Sequence, residues 1–183
     1  MSERLPRGVE VTEFQTHADD RGALTEVFRS TWDTGIEPVQ WNVTLSAPGV
    51  LRGVHVHIEH TDYVAVIDGW ADVGLYDARP GSTTEGLAAL ITLRADEMAA
   101  LTIPPGVFRG LYFHERSTFL YGLSHGWEPA DDLACRWDDP AMGIPWRVDS
   151  PTVSERDSEA PSLRTLLAEI APRLAAPAGR PAS

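Results

Sequence analysis

Short segments with the composition of β-strands recur along most of this chain, and they constrain the fold more than any other feature. They are rich in Val, Leu, Ile, Tyr, Phe and Thr, and turn-forming sequences such as Asp68-Gly69 and Pro104-Pro105-Gly106 separate them. The segments are residues 9–14, 24–28, 40–45, 63–66, 71–75, 90–93, 98–103, 111–113 and 118–123. Many short strands at near-regular spacing predict an all-β fold, either a sandwich, a barrel or a jelly roll.

The C-terminal part of the chain has a different character. Residues 162–174 place apolar side chains at helical spacing, with Pro172 near the end, and this pattern predicts a short C-terminal helix. Residues 175–183 are small and proline-rich, so we expect a disordered tail. In a chain of 183 residues, these features predict one β domain over residues 1–161, followed by the helix and the tail.

Composition and charge exclude several classes of function. A net charge of −12 argues against binding to nucleic acid or to an anionic membrane, since both require a basic surface. We also expect no signal peptide and no membrane span, because no apolar run approaches the roughly 20 residues that cross a bilayer. The single cysteine, Cys135, fits a reducing cytoplasm. All 15 basic residues are arginine, which excludes mechanisms that need a lysine.

The region from Leu51 to Gly69 carries the densest set of chemically versatile side chains. His55, His57 and Asp62 fit the spacing of a cupin motif. Alternate residues of a strand face the same side, so the two histidines can point into one cavity. Two imidazoles and a carboxylate also form the facial triad of non-haem iron sites. A metal-dependent cupin enzyme is therefore one alternative.

One substitution weighs against a metal at this motif. In the cupin pattern a histidine follows a Pro-x-Gly turn, whereas Arg109 stands at that position in this chain. Its permanent positive charge would repel a metal ion, so we expect no metal ligands and no cofactor. His60 lies in the short loop between His57 and Asp62, and we interpret it as a solvated loop residue.

An ordered set of short motifs resembles a known family. The motifs are DRG at 20–22, TEVF at 25–28, QWN at 40–42, GVLRGVH at 49–55, DARPGS at 77–82, IPPG at 103–106, FLY at 119–121, WDDPAMGIPW at 137–146 and VSERDSEAP at 153–161. In this order they resemble the dTDP-4-keto-6-deoxyhexose 3,5-epimerases, also called dTDP-4-dehydrorhamnose epimerases. The resemblance implies a cupin-type β jelly roll, a metal-free enzyme and a homodimer.

The resemblance also implies a reaction and the residues that perform it. Members remove a proton beside a ketone and return one to the opposite face of the sugar, which requires a base, an acid and a positive group near the enolate oxygen. By position, His55 is the base, Asp157 the carboxylate that holds it, and Tyr121 the acid.

The substrate contacts implied by the resemblance lie on several motifs. Arginine suits bidentate contact with phosphate oxygens, and an indole face suits stacking on a base. The matched positions are Arg21 and Arg52 for the pyrophosphate, Glu26, Gln40 and Asn42 near the nucleoside, and Trp127 against the thymine. Surface salt bridges in an acidic protein are the alternative interpretation of the two arginines.

Three pocket positions depart from the family pattern. Asp62 falls where the family has a lysine near the ketone oxygen, Arg109 replaces a histidine, and His57 replaces a glutamine. The first change removes a positive charge at position 62, and the second places a permanent positive charge at position 109. We therefore hypothesise that Arg109 supplies the positive field for the enolate and pairs with Asp62, and we count His57 and Asp62 among the substrate-pocket residues.

Three functions follow from the sequence. The leading one is a cytoplasmic, cofactor-free epimerase or isomerase of a dTDP-linked 4-keto-6-deoxy sugar, acting in the biosynthesis of a deoxysugar or a specialised metabolite. The second is a metal-dependent cupin enzyme that uses His55, His57 and Asp62. The third is a nucleotide-sugar binding protein without catalytic activity.

Overall fold

The computed structural model describes residues 4–174, which form two five-stranded antiparallel sheets, a two-stranded hairpin and two helices. The strands are β1 (Glu10–Glu13), β2 (Thr16–Asp19), β3 (Gly22–Thr25), β4 (Gln40–Ser46), β5 (Leu51–Val56), β6 (Asp62–Asp68), β7 (Trp70–Asp77), β8 (Ala88–Arg94), β9 (Ala99–Ile103), β10 (Val107–Phe113), β11 (Ser117–Leu123) and β12 (Leu133–Ala134). The helices are α1 (Glu155–Ser158) and α2 (Leu163–Leu174).

The two large sheets pack face to face around one apolar core. The first has the strand order β1-β9-β6-β11-β4, and the second has the order β12-β5-β10-β7-β8. Val64 and Leu101 of the first sheet lie in one buried cluster with Val73, Leu111 and Phe113 of the second. Burial of each such side chain contributes about 1.5–3 kcal/mol, so this cluster holds the sandwich together. The prediction of an all-β fold is confirmed.

Helix α2 packs on the outer face of the second sheet. Its buried side chains, Leu163, Leu166 and Ile170, belong to a second apolar cluster that includes Val54 and Phe108. The predicted C-terminal helix is thereby confirmed, while the predicted tail at 175–183 lies outside the described residues. The division into a β domain, helix and tail stays a prediction. No helix within residues 4–174 is long and apolar enough to cross a membrane.

The sequence patterns did not predict three of the observed strands, and one of these three carries His55. β2, β5 and β12 are short or rich in Gly and polar residues, which weakens the local strand signal. β5 forms because it pairs with β10 on one side and with β12 on the other. Long-range pairing, rather than local preference, makes this segment a strand.

Gly53 allows β5 and β10 to approach each other closely. Its φ is +120°, and a Cβ at this position would lie 2.8 Å from the Cα of Gly110 and 2.9 Å from the carbonyl oxygen of Arg109. The register between the two strands shifts at this point and places His55 opposite Arg109. A glycine in the middle of a functional strand therefore sets the distance between two predicted site residues.

We expect Gly53→Ala to destabilise the protein by at least about 2 kcal/mol, because the methyl group would meet backbone atoms and the positive φ would be strained. Gly81→Ala is the matched control, since Gly81 has a φ of +75° and no atom lies within 4 Å of the place that a Cβ would take there. It should cost about 1 kcal/mol from φ strain alone. Urea denaturation measures the free energy of unfolding of both variants. Equal losses of this free energy in Gly53→Ala and Gly81→Ala would show that close packing at Gly53 is unimportant.

Candidate active site

A cavity of about 470 Å³ lies between the two sheets. This volume is in the range that accommodates small ligands. Side chains from β4, β5, β10, β11 and α1 line it. The segments after β5 and β11 and the segment before α1 also contribute. The lining residues that the sequence predicted are Arg52, His55, His57, Arg109, Tyr121, Trp127 and Asp157.

His55 and Asp157 form a hydrogen-bonded pair in this cavity. The His55 Nε2 atom lies 2.7 Å from Asp157 Oδ1, and the backbone N–H of Gly53 donates to Asp157 Oδ2 at 3.3 Å. Burial alone would raise the pKa of Asp157, but the hydrogen bond from His55 holds that pKa below its usual value. The ionised carboxylate accepts a hydrogen bond from Nε2–H, so the Nδ1 atom of neutral His55 is left without a hydrogen.

Tyr121 and Trp127 complete the aromatic part of the cavity. The Tyr121 ring stacks on Phe119, with 5.1 Å between ring centroids. Trp127 is 49% exposed, so one indole face is accessible to a ligand. Its backbone N–H donates to Gln40 Oε1 at 2.9 Å, and Gln40 in turn donates to Asn42 Oδ1 at 3.1 Å. Two of the three predicted nucleoside contacts, Gln40 and Asn42, thus support the segment that carries Trp127.

Asp62 and Arg109 form a buried ion pair, and the pairing predicted from sequence is present in the structure. Arg109 Nε donates to Asp62 Oδ2 at 2.9 Å. Burial alone would raise the pKa of Asp62, but the charge of Arg109 and the contact with His57 hold it well below its usual value. The charge of Asp62 is therefore compensated, and the guanidinium stays on the wall of the cavity.

His60 is buried, so the interpretation of this residue as a solvated loop position is wrong. It is 2% exposed, and its ring stacks on His57 with 3.8 Å between centroids. Its Nδ1 atom lies 2.9 Å from Asp131 Oδ2, and this carboxylate also accepts from Arg173 of α2 at 3.2 Å. Burial lowers the pKa of His60, but the contacts with Asp131 and Asp62 outweigh it and raise the pKa to about 9.

Asp132 is a site residue that the sequence patterns did not identify. Its Oδ2 atom accepts from Arg156 Nη1 at 2.9 Å and from Trp127 Nε1 at 3.2 Å. Its Oδ1 atom lies 3.6 Å from His55 Nδ1 and 3.5 Å from His57 Nε2, and makes no hydrogen bond. Two signals were available in the sequence: the adjacent acids after Trp127, and an arginine directly before Asp157.

Five predicted substrate contacts are not among the residues that line this cavity: Gln40, Asn42 and Asp62, described above, and Arg21 and Glu26. Arg21, at the tip of the β2–β3 hairpin, has a side chain that is 90% exposed and pairs with Asp19. Glu26 pairs with Arg29 on the surface. The remaining predicted phosphate contact, Arg52, does line the cavity and donates to Ser46 Oγ at 3.0 Å. A single chain therefore assembles only part of the predicted binding site.

The histidine cluster does not fit a metal ion. Among the described residues, His57, His60 and Asp62 offer ligand atoms within 4.8 Å of one another. However, His57 Nδ1 lies 2.8 Å from Asp62 Oδ2, and the guanidinium of Arg109 shares that oxygen. An ion there would have to displace a permanent cation. His55 belongs to the separate pair with Asp157, so the predicted ligand set of His55, His57 and Asp62 does not converge on one point.

Comparison with known sequences agrees with the family resemblance of the sequence motifs. A family model described as dTDP-4-dehydrorhamnose 3,5-epimerase matches residues 5–165. A dTDP-4-dehydrorhamnose 3,5-epimerase from Sinorhizobium fredii is 34% identical over 158 residues, which cover 79% of this chain and 80% of the relative. A dTDP-4-dehydro-6-deoxyglucose 3-epimerase from a Streptomyces species is 31% identical over 159 residues and covers 81% of each chain.

Solved structures show the same relationship. A 3'-monoepimerase from Streptomyces bikiniensis in complex with dTDP-quinovose has a TM-score of 0.83 and 29% identity, covering 93% of this chain and 91% of that chain. An epimerase from Legionella pneumophila in complex with dTDP-4-keto-L-rhamnose has a TM-score of 0.82 and 26% identity, covering 88% of this chain and 91% of that chain. These similarities confirm the predicted cupin-type jelly roll.

The raised pKa of His60 leads to a prediction about stability. Because the pKa in the fold, about 9, exceeds the ordinary 6.5, protonated His60 stabilises the fold fully below pH 6.5 and loses this effect as pH rises through about 9. The contribution is on the order of 3 kcal/mol. The difference in unfolding free energy between the wild type and His60→Gln should therefore shrink between about pH 6 and about pH 9.5.

Urea denaturation across this range measures the difference, and His17→Gln, at an exposed strand position, is the control that should show no such trend. A difference for His60→Gln that is independent of pH would show that the imidazolium is not held by Asp131 and Asp62.

Proposed function

The chain belongs to the dTDP-4-dehydrorhamnose 3,5-epimerase family, and from that premise we propose that it epimerises a dTDP-linked 4-keto-6-deoxy sugar at C3, at C5 or at both. The reaction belongs to deoxysugar biosynthesis. One observation supports this proposal above the others: a histidine that is hydrogen-bonded to a buried carboxylate lines the same cavity as Tyr121. An imidazole and a phenol in one cavity are suitable as the base and the acid of an epimerase.

In the proposed mechanism, His55 Nδ1 removes the proton from the carbon beside the ketone. The electron pair of the broken C–H bond moves into the enolate, and Asp157 stabilises the imidazolium that results. Tyr121 then gives its proton to the opposite face of the same carbon. Arg109 provides positive charge near the enolate oxygen, in a buried environment where such a charge acts more strongly than in water.

The nucleotide is proposed to bind at the mouth of the cavity. Arg52 has its side chain on the cavity wall and is suited to the pyrophosphate, while the exposed indole face of Trp127 is suited to the base. The complexes with dTDP-quinovose and dTDP-4-keto-L-rhamnose in the two solved relatives support a dTDP-linked substrate. A cytoplasmic location is also proposed, because the one cysteine, Cys135, is buried and unpaired.

The first test follows proton exchange by NMR in deuterated water with dTDP-4-keto-6-deoxyglucose as substrate. The wild type should exchange the proton at C3, C5 or both, and His55→Ala should reduce the rate by at least about 10²-fold. Tyr121→Phe should still allow exchange but should form little inverted product, because the acid is missing. Binding of dTDP without exchange at either carbon would instead identify a nucleotide-sugar binding protein.

The second test concerns the charge of Arg109. Arg109→Ala should lose turnover and about 3–5 kcal/mol of stability, because it leaves Asp62 buried and unpaired. The double variant Asp62→Asn with Arg109→Gln removes both charges, so we expect it to regain most of the stability but not the turnover. Urea denaturation and the exchange assay separate the two effects. Normal turnover in the double variant would eliminate a role for this guanidinium.

A homodimer is proposed to complete the substrate site. β4 is an edge strand of the first sheet, and Trp41, Val43 and Leu45 on its outer face are 40%, 60% and 57% exposed. An apolar face on a free strand edge is a typical surface for pairing with another chain. In such a dimer, the exposed Arg21 of one chain would reach the cavity of the partner.

Replacing both Val43 and Leu45 with arginine should produce a monomer with weaker dTDP binding, because Arg21 would no longer be supplied by a second chain. Val11→Arg is the control, since Val11 is 44% exposed on β1 at the opposite edge of the same sheet. Sedimentation velocity measures the oligomeric state, and calorimetry measures the affinity for dTDP. An active monomer would contradict a shared site.

A further inference from the structure

Three atoms that accept hydrogen bonds converge at one point in the cavity. Asp132 Oδ1 lies 3.6 Å from His55 Nδ1 and 3.5 Å from His57 Nε2. These distances are longer than a hydrogen bond, and the oxygen is buried without a donor. Arg156 and Trp127 do not satisfy it, because both donate to the other oxygen of the carboxylate. The convergence of these atoms therefore needs a separate explanation.

The outer hydrogen bonds of the two histidines determine where their protons lie. His55 Nε2 faces Asp157, and His57 Nδ1 faces Asp62, which is also bound by Arg109. Both carboxylates have a pKa below the usual value and are ionised, so they can only accept. Each neutral imidazole must then donate outward, and its other nitrogen carries a lone pair toward Asp132. The three acceptor atoms have no hydrogen between them, so they repel one another. A single proton added to either imidazole would replace this repulsion with a charge-assisted hydrogen bond to Asp132 Oδ1.

We propose that Asp132 and His57 take up the proton that His55 removes from the substrate. This inference rests on the proposed epimerase function and goes further by assigning a path to the abstracted proton. Both residues act through His55 and are positioning residues rather than groups that touch the reacting carbon. The ion pair of Asp62 with Arg109 contributes by keeping the proton of His57 on Nδ1, so that Nε2 stays free to accept.

The transfer conserves charge and protons at each step. The C–H bond of the substrate breaks, its electron pair becomes the enolate, and the proton bonds to His55 Nδ1. The proton then crosses Asp132 Oδ1 to His57 Nε2, which restores neutral His55 and ionised Asp132 and leaves His57 as imidazolium. Tyr121 protonates the enolate and is itself reprotonated by water after the product leaves. While the enolate is bound, His57 exchanges this extra proton with solvent, so a proton that returns along the relay to His55 comes from water. After the product leaves, His57 releases its extra proton to water.

The relay would make the base available again while the sugar still fills the cavity. Without it, the proton would stay on His55 and could return to the carbon from which it came. Glutamine at position 57 could form hydrogen bonds but could not accept a proton, which makes His57→Gln the appropriate variant.

The test runs the reaction in deuterated water and measures a ratio. This ratio is the amount of deuterium in the recovered, uninverted substrate divided by the amount of inverted product. In the wild type the substrate proton leaves His55, so the recovered substrate should contain deuterium. In His57→Gln the original proton should return to carbon, and the ratio should fall by at least about tenfold. Because the quantity is a ratio per turnover, a general loss of activity does not change it.

Two further variants make the test specific. Asp132→Asn lies on a different segment and should lower the same ratio, because its amide cannot pass the proton between the two imidazoles. His60→Gln is the matched control, since His60 stacks on His57 and lines the same cavity but is not among the contacts of Asp132. Its ratio should equal that of the wild type. Thermal unfolding of each variant verifies that it is folded.

The possible outcomes separate this inference from the proposed function. A low ratio in both His57→Gln and Asp132→Asn, with a wild-type ratio in His60→Gln, supports the relay. Equal ratios in the wild type and His57→Gln overturn it, as does a wild-type enzyme that forms deuterated product without deuterium in the recovered substrate. If the wild type exchanges no proton at C3 or C5, the epimerase function itself fails, and the inference fails with it.

Discussion

The close approach of β5 to β10 is the constraint on which the arrangement of charges depends. With no side chain at Gly53, the two backbones come close enough for His55 to lie opposite Arg109. The same glycine turns its N–H toward Asp157, which fixes the carboxylate behind the histidine. A larger residue would move all three groups, because they are connected through backbone atoms rather than through flexible side chains.

The buried charges of the cavity are held in alternating order. Starting from Asp157, the order continues through His55, Asp132, His57 and Asp62, and it ends at Arg109. Asp132 and Asp62 each lie between two groups that are or can become positive, and Asp157 lies against His55 and the N–H of Gly53, so ionised carboxylates remain tolerable in a poorly solvated space. The weakest contacts in this series are the two made by Asp132 Oδ1, and they are the places where an added proton has the largest effect.

Local sequence patterns were sufficient for the architecture and for part of the site. Alternating apolar residues and turn sequences identified most strands, because these signals act over a few neighbouring residues. The pairing of Arg109 with Asp62 followed from a charge exchange that is visible in the sequence. By contrast, β5 forms through partners distant in the chain, and the burial of His60 depends on Asp131 from another loop. The alternation of His55 and His57 suggested a strand in this region, but neither the pairing partners of β5 nor the burial of His60 leaves a local pattern in the sequence.

The contact between Arg173 and Asp131 has a consequence for fusions and truncations at the C-terminal end of this protein. Helix α2 does not border the cavity, yet its last turn holds the loop that presents Asp131 and Asp132. A fusion or truncation that unwinds this turn would loosen the loop and expose the carboxylates to water, which would weaken their hold on His60 and His57. Engineering at the C-terminus would therefore alter protonation in a cavity that the helix never touches.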